Sequence, residues 1–393
     1  MSPPKAVLQL AFQTLALSTA LPLAFASSVL SPSVDHQASL QARPLCRQTT
    51  IPVNVVAHPR FISLSTPKNQ SQVVALLTNL TSIKFNLTAD IVHKPRISNA
   101  TYNIWTILCF PLFTRARTVE FAIHGLNYDH NYWDPAWPAS LQCSYANAAV
   151  EAGHAIFMYD RLGTYAIIIA SLFSGTLSGV VNNTNPGVGR SDKPDGIQEV
   201  QHDTEIEVAA QLIRHIKDGR TGFHFEQIIG VGHSLGSFTG FSPYTGALGT
   251  AIASAGLTIA AVQDFFRFVD NFIYEAFLDL ALQQKQTSTI GEFLTLKASL
   301  AENYTRPVFV VTGNKDYGFC GGNCYQPIAG FDNLIAYSQI LFPDASKFHY
   351  SIRANTGHAI NFHYGPQDTF RVIRSWIAQL ELGSNSEEQV EFN

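Results

Sequence analysis

Residues 226 to 240 read EQIIGVGHSLGSFTG. A polar lead-in becomes the apolar run Ile228-Ile229-Gly230-Val231, which passes into Gly232-His233-Ser234-Leu235-Gly236. A serine flanked in this way can project from a sharp strand-to-helix turn, with Gly232 and Gly236 leaving room for close packing on either side. A hydroxyl is a poor nucleophile at neutral pH. It needs a base within hydrogen-bond reach and an acid that orients the base. The five-residue pattern alone is weak, since ordinary glycine usage produces it by chance in roughly one chain in ten of this size. Its partners therefore matter more than the pattern. Among thirteen histidines, His358 in NTGHAIN is the candidate base, with His363 just beyond it as a fallback. Acid candidates are Asp316 in GNKDY, Asp264 after LTIAAVQ, and Asp332.

Acyl transfer through a serine also needs two backbone N–H groups facing the developing oxyanion. Leu235 offers one at the start of the expected helix, where the helix dipole adds to the effect. The second is expected from Leu126, in the loop after TVEFAIHG, with His124 and Gly125 shaping that loop. The side chain of His233 is expected to point away from Ser234 and to pack. Asp160 and Arg161 are expected to belong to a structural network near the turn.

These residues must be positioned by regular elements. Strand-like runs cover 50–56, 101–110, 118–125, 154–160, the lead-in to Ser234, and 306–313. Helical spacing of apolar residues marks 196–219, and helix-like stretches cover 140–153 and 369–382. Strands separated by such helices predict an α/β fold with a mostly parallel central sheet flanked by helices. Ligands of such sheets sit at the carboxyl ends of the strands. His124, Asp160, Ser234 and Asp316 all fall just past apolar runs, which gathers them on one rim. The stretch SPYTGALGTAIASAG (242–256) is poorer in helical pattern than the segment after such a turn should be.

With these motifs in order, the chain resembles the α/β-hydrolase superfamily. It is similar to secreted fungal serine esterase- or lipase-like proteins of its AB-hydrolase branch. The signatures are HGLNY (124–128), YDRLG (159–163) with GRSDKPDG (189–196), GHSLGS (232–237) and NTGHA (355–359), and the likeness covers about 118 to 380. It implies Ser234 as nucleophile, Asp316 as acid and His358 as base, in that chain order, without metal or cofactor. Dehalogenase and epoxide-hydrolase relatives carry Asp at the turn, where this chain has Ser234. No HGGG run is present.

One segment departs from the pattern. TYAIIIASLFSGTLSGVVNNTNPG (164–187) interrupts a junction that relatives close directly, and its removal restores YDRLG followed by VGRSDKPDG. We read it as translation of a retained in-frame intron. A genuine surface insertion and a membrane helix are the alternatives. Phe-rich 264–300 stands where the superfamily inserts a helical cap, and either lines an apolar pocket or packs in the core.

The N-terminus places Lys5 before an apolar stretch and ends it at Ala24-Phe25-Ala26, the pattern of a signal peptide over 1–26. A Ser/Pro/Gln-rich arm follows over 27–48, then a domain over 49–385. Sequons at Asn69, Asn79, Asn86, Asn99, Asn182 and Asn303 agree with export. Five cysteines allow at most two disulfides, and CGGNC (320–324) is a candidate local bridge rather than a zinc site. A hydrophobic content of 46% supports a sizeable core, and a net charge of −4 without a basic stripe argues against nucleic acid.

The expected function is that of a secreted serine hydrolase cleaving esters or lactones of a small apolar substrate, with no stable membrane span. An acyltransferase or hydroxynitrile lyase on the same three residues, and a non-catalytic binding protein on this scaffold, are the rivals.

Overall fold

A computed structural model describes residues 44–65, 90–126, 128–135, 140–162, 190–240, 250–254, 289–296 and 300–381, with scattered positions between 69 and 78. The expectations for 1–26 and 164–187, the acid alternative Asp264 and most of 264–300 lie outside the described residues.

Ten strands are described: β1 (Leu45–Ala57), β2 (Arg60–Ile62), β3 (Val92–Pro95), β4 (Ser98–Phe110), β5 (Thr118–Ile123), β6 (Ala155–Tyr159), β7 (Gln227–His233), β8 (Thr250–Ser254), β9 (Val308–Gly313) and β10 (Phe348–Arg353). Eight form one sheet in the order β1-β4-β6-β5-β7-β8-β9-β10, and β2 pairs with β3 alone. Every neighbouring pair from β6 to β10 is parallel, whereas β4 is antiparallel to both β1 and β6.

The twofold periodicity of the strands divides the core. Val119, Phe121, Ile123, Phe157, Tyr159, Val308 and Val310 face one side of the sheet, where α2 (His202–Lys217) contributes Val208, Leu212, Ile213 and Ile216. Ala122, Ile156, Met158, Phe309 and Val311 face the other side, where α1 (Tyr145–Glu151) and the C-terminal helix (Pro366–Glu381) bring Tyr145, Ala149, Phe370, Ile373 and Trp376. Each fully buried large apolar side chain contributes roughly 1.5–3 kcal/mol. Helix α2 carries Asp203 and Glu205 in its first turn and Arg214, His215 and Lys217 in its last, which complements its dipole. Helix α1 starts where the Ser144 side chain accepts from Asn147 N–H.

Sequence and structure differ at several boundaries. Strand β1 begins at Leu45, inside the segment read as an arm, because its pairing with β4 continues to Leu45 opposite Phe110. That register sets Cys46 opposite Cys109, and the two form a disulfide. Cys320–Cys324 is the second disulfide, and Cys143 is a buried free thiol. The poorly helical stretch after Ser234 contains β8, which adds a strand beside β7. Within 264–300, the described helix is α4 (Ile290–Thr295), started by a reciprocal Thr289–Glu292 capping box. No helix among the described residues is long and apolar enough to cross a membrane.

Candidate active site

Ser234 follows β7 directly and opens α3 (Leu235–Gly240) at φ 56°, the left-handed region. A residue with a Cβ costs about 1–2 kcal/mol there. The turn is held by Ser237 N–H donating to Ser234 O at 3.0 Å and by Ser237 Oγ donating to Gly232 O at 2.9 Å. Close packing explains both glycines. A Cβ on Gly232 would lie 2.6 Å from Ser237 Cα, and one on Gly236 would lie 2.1 Å from Ile123 O. The Leu235 amide therefore opens a helix immediately behind the serine.

The loop after β5 touches the same point. A Cβ on Gly125 would stand 2.7 Å from Ser234 Cβ, so the His124–Leu126 turn packs against the serine. Buried His124 holds this turn in shape. Its Nε2 accepts from Arg161 N–H at 3.0 Å, and because an amide nitrogen only donates, the ring proton is on Nδ1, which donates to Gly125 O at 2.8 Å. Burial, reinforced by Arg161, lowers its pKa to about 3 and keeps it neutral. The Gly125–Leu126 peptide is planar, so fixing the carbonyl also fixes the direction of Leu126 N–H.

Asp316 and His358 sit beyond the ends of β9 and β10. Asp316 Oδ1 accepts from His358 Nδ1 at 2.8 Å, and Asp316 Oδ2 accepts from Thr312 Oγ1 at 2.8 Å. The two loops are joined by Lys315 N–H donating to Thr356 O at 2.9 Å and Asn314 N–H donating to Arg353 O at 2.8 Å. A Cβ on Gly313 would lie 2.0 Å from Thr356 O, so β9 and the His358 loop meet backbone to backbone. Asp316 is fully buried and His358 is 3% exposed. Burial pushes the His358 pKa below the ordinary histidine value, and Asp316 offsets part of that shift. With Nδ1 donating to the carboxylate, Nε2 carries the lone pair, and that buried nitrogen has no hydrogen-bond partner.

Of the other candidates, His363 accepts from Gly357 N–H at 3.1 Å through Nε2 and makes no bond to Asp316; burial and His358 lower its pKa to about 4. Asp332 is exposed and makes no bond to His358. The ring of His233 stacks on Tyr132 at 3.8 Å and meets the His358 ring edge-on at 5.6 Å, in line with a packing role. Its ring brings the imidazole of His358 beside the residue that precedes Ser234.

Asp160 ties the rim together. Its Oδ1 accepts from His130 N–H at 3.0 Å and from His130 Nδ1 at 2.7 Å, and its Oδ2 accepts from Arg190 N–H at 2.8 Å. Asp129, His130 and Asp160 are the described residues whose donor atoms are grouped closely enough to hold a metal ion, within 4.8 Å of one another. His130 and Asp160 are already engaged with each other, which makes the group a structural tie. Two contributors had no signal in the sequence: Thr312, on the carboxylate, and Phe319, whose ring stacks on His358.

A mostly parallel eight-stranded sheet in this order, with a serine on a strand–turn–helix at its carboxyl edge, is the α/β-hydrolase fold. No family model matches the chain, and no curated protein matches it. Among solved structures it is similar to the esterase RhEst1 from Rhodococcus sp. ECU1013, at 14% identity over 71% of this chain and 96% of that one, with a TM-score of 0.43. It is also similar to the Pyrococcus furiosus esterase Pf2001, at 12% over 72% and 87%, TM-score 0.42. A third likeness is to bromoperoxidase from Bacillus anthracis, at 14% over 72% and 95%, TM-score 0.41. Likenesses this distant carry no argument about activity, which rests on the site's own geometry.

Proposed function

We propose that the chain is a secreted serine hydrolase that cleaves carboxylic esters or lactones of apolar substrates. The observation that carries this reading is the buried Asp316–His358 pair, which leaves Nε2 with a free lone pair at the carboxyl edge of the sheet that also presents Ser234 at φ 56°. In the reaction His358 Nε2 takes the Ser234 proton as Oγ attacks the carbonyl carbon. The oxyanion rests on the amides of Leu126 and Leu235. His358 then protonates the leaving alkoxide. Water, deprotonated by the same nitrogen, releases the acid and restores Ser234. Asp316 holds the imidazole in the required tautomer and stabilises the imidazolium.

Export is supported by two disulfides and by sequons at exposed Asn69, Asn99 and Asn303. The reading is tested by turnover of p-nitrophenyl esters of graded acyl length. Ser234→Ala is expected to lose at least about 10³-fold in kcat. Turnover retained in that variant overturns the assignment.

A further inference from the structure

Phe319 has no part in the chemistry described so far, yet it occupies a conspicuous place. Its ring stacks on the His358 imidazole at 5.7 Å between centroids and 21° between planes. The residue is 36% exposed, whereas the imidazole beneath it is almost wholly buried. Its position is set by the acid itself. Asp316 Oδ1 accepts from His358 Nδ1 at 2.8 Å and from Phe319 N–H at 3.1 Å, so a single carboxylate oxygen orients both the base and the aromatic ring on its face. Phe319 lies in the short helix α5 (Tyr317–Cys320), which Asp316 caps at one end and left-handed Gly321 at the other. The Cys320–Cys324 bridge, Gly322 N–H donating to Asp316 O at 3.0 Å and Cys324 N–H donating to Asn314 O at 3.1 Å close the loop around it. A large apolar ring is thus held partly open to solvent by a heavily braced loop.

We propose that Phe319 is the wall that receives the alcohol portion of the substrate, so that the site prefers esters with a flat, apolar leaving group over those with a small one. This rests on the Ser234–His358 reading. The departing oxygen takes its proton from His358 Nε2, so it must come within about 3 Å of that atom. Any substituent on that oxygen then lies beside the ring stacked on the same imidazole. The acyl portion leaves from a different point: its carbon is bonded to Ser234 and its oxygen turns toward the Leu126 and Leu235 amides. Phe319 should therefore discriminate among alcohols and not among acids.

Benzyl and methyl butyrate share an acid and release alcohols of similar acidity, so the ratio of their kcat/KM values isolates contact with the alcohol. The full chain is expected to favour the benzyl ester. Phe319→Ala should cut that ratio by about tenfold, the scale of a lost apolar contact in a pocket. Phe319→Tyr should hold the ratio near the parent value, and the acyl-length profile should stay in place in both variants. An unchanged ratio in Phe319→Ala, an equal loss in Phe319→Tyr, or an equal shift in the acyl-length profile overturns the proposal. Labelling of Ser234 by a fluorophosphonate separates the two levels. Absence of labelling in the parent protein removes the site reading and this inference with it, while labelling with an unchanged benzyl/methyl ratio removes the inference alone.

Discussion

Two buried clusters in this molecule pair a histidine with a carboxylate. At the amino ends of β5 and β6, Glu120 accepts from both Arg374 and Tyr145, and His154 Nδ1 lies 2.8 Å from Glu120. The other nitrogen of His154 lies 3.3 Å from Glu381, so both of its nitrogens are engaged. At the carboxyl ends of β9 and β10, His358 has Nδ1 on Asp316 and no partner at Nε2. A buried polar atom left unpaired costs about 1–3 kcal/mol. The first cluster avoids that cost at its histidine and fastens the C-terminal helix to the sheet. The second bears it at the nitrogen that the proposed reaction uses. Both histidines share the carboxylate pairing; what separates them is the free nitrogen of His358.

The contrast can be broken most sharply by exchanging the effects. His358→Ala should lower kcat/KM by about 10⁴-fold or more while leaving the melting temperature close to the parent's. His154→Ala should show the reverse, with turnover kept and stability reduced. Paired kinetic and thermal measurements on the two variants check this, and loss of both properties in either variant contradicts it. Next in size is Arg374→Met, which takes the guanidinium from the fully buried Glu120 carboxylate. Breaking such a pair from one side costs about 3–5 kcal/mol, readable by urea denaturation.

A smaller effect is expected at the oxyanion loop. Asn at position 124 can place an amide nitrogen where Nδ1 donates to Gly125 O, whereas Gln reaches instead toward Arg161 N–H. His124→Gln should lower kcat by about ten- to a hundredfold at nearly constant KM, and His124→Asn should recover part of the loss. Equal losses in the two variants would assign His124 a purely structural role.

The weakest distinction is in pH. The proposed reaction requires neutral His358, and burial holds its pKa below 6.5, so kcat/KM should rise with pH to half its plateau below that value. Stability follows a different group. Burial opposes ionisation of Glu120, but Arg374 and His154 outweigh it and lower the pKa from 4.5 to about 2. A depressed carboxylate stabilises the fold fully above its unfolded value, and that contribution fades as pH falls from 4.5 toward 2. Acid titration of stability should show the parent's advantage over Glu120→Gln in full above pH 4.5 and shrinking as pH falls through that window.

Much of the candidate site was legible in the sequence because its residues follow apolar runs. Ser234 follows IIGVGH, Asp316 follows VFVVTG, and both runs are wholly or almost wholly buried strands. His358 was legible through NTGHA, but the strand that carries it was not. FHYSIR is only partly buried at the sheet edge and mixes His, Tyr, Ser and Arg, so it gives no apolar run. β8 was hidden for another reason: TAIAS is made mostly of small residues with weak strand preference, amid glycines. The pairing of Cys46 with Cys109 depends on the β1–β4 register, which spacing cannot supply. Phe319 left no signal at all, because its role depends on a carboxylate oxygen shared across two loops.

The most direct measurement is the rate and position of fluorophosphonate attachment, read by mass spectrometry in parent, His358→Ala and His154→Ala proteins. The account predicts a single adduct on Ser234 that forms equally fast in the parent and in His154→Ala, and at least about 10³-fold more slowly in His358→Ala. An adduct on another residue, or one that forms on Ser234 at the parent rate without His358, would contradict it.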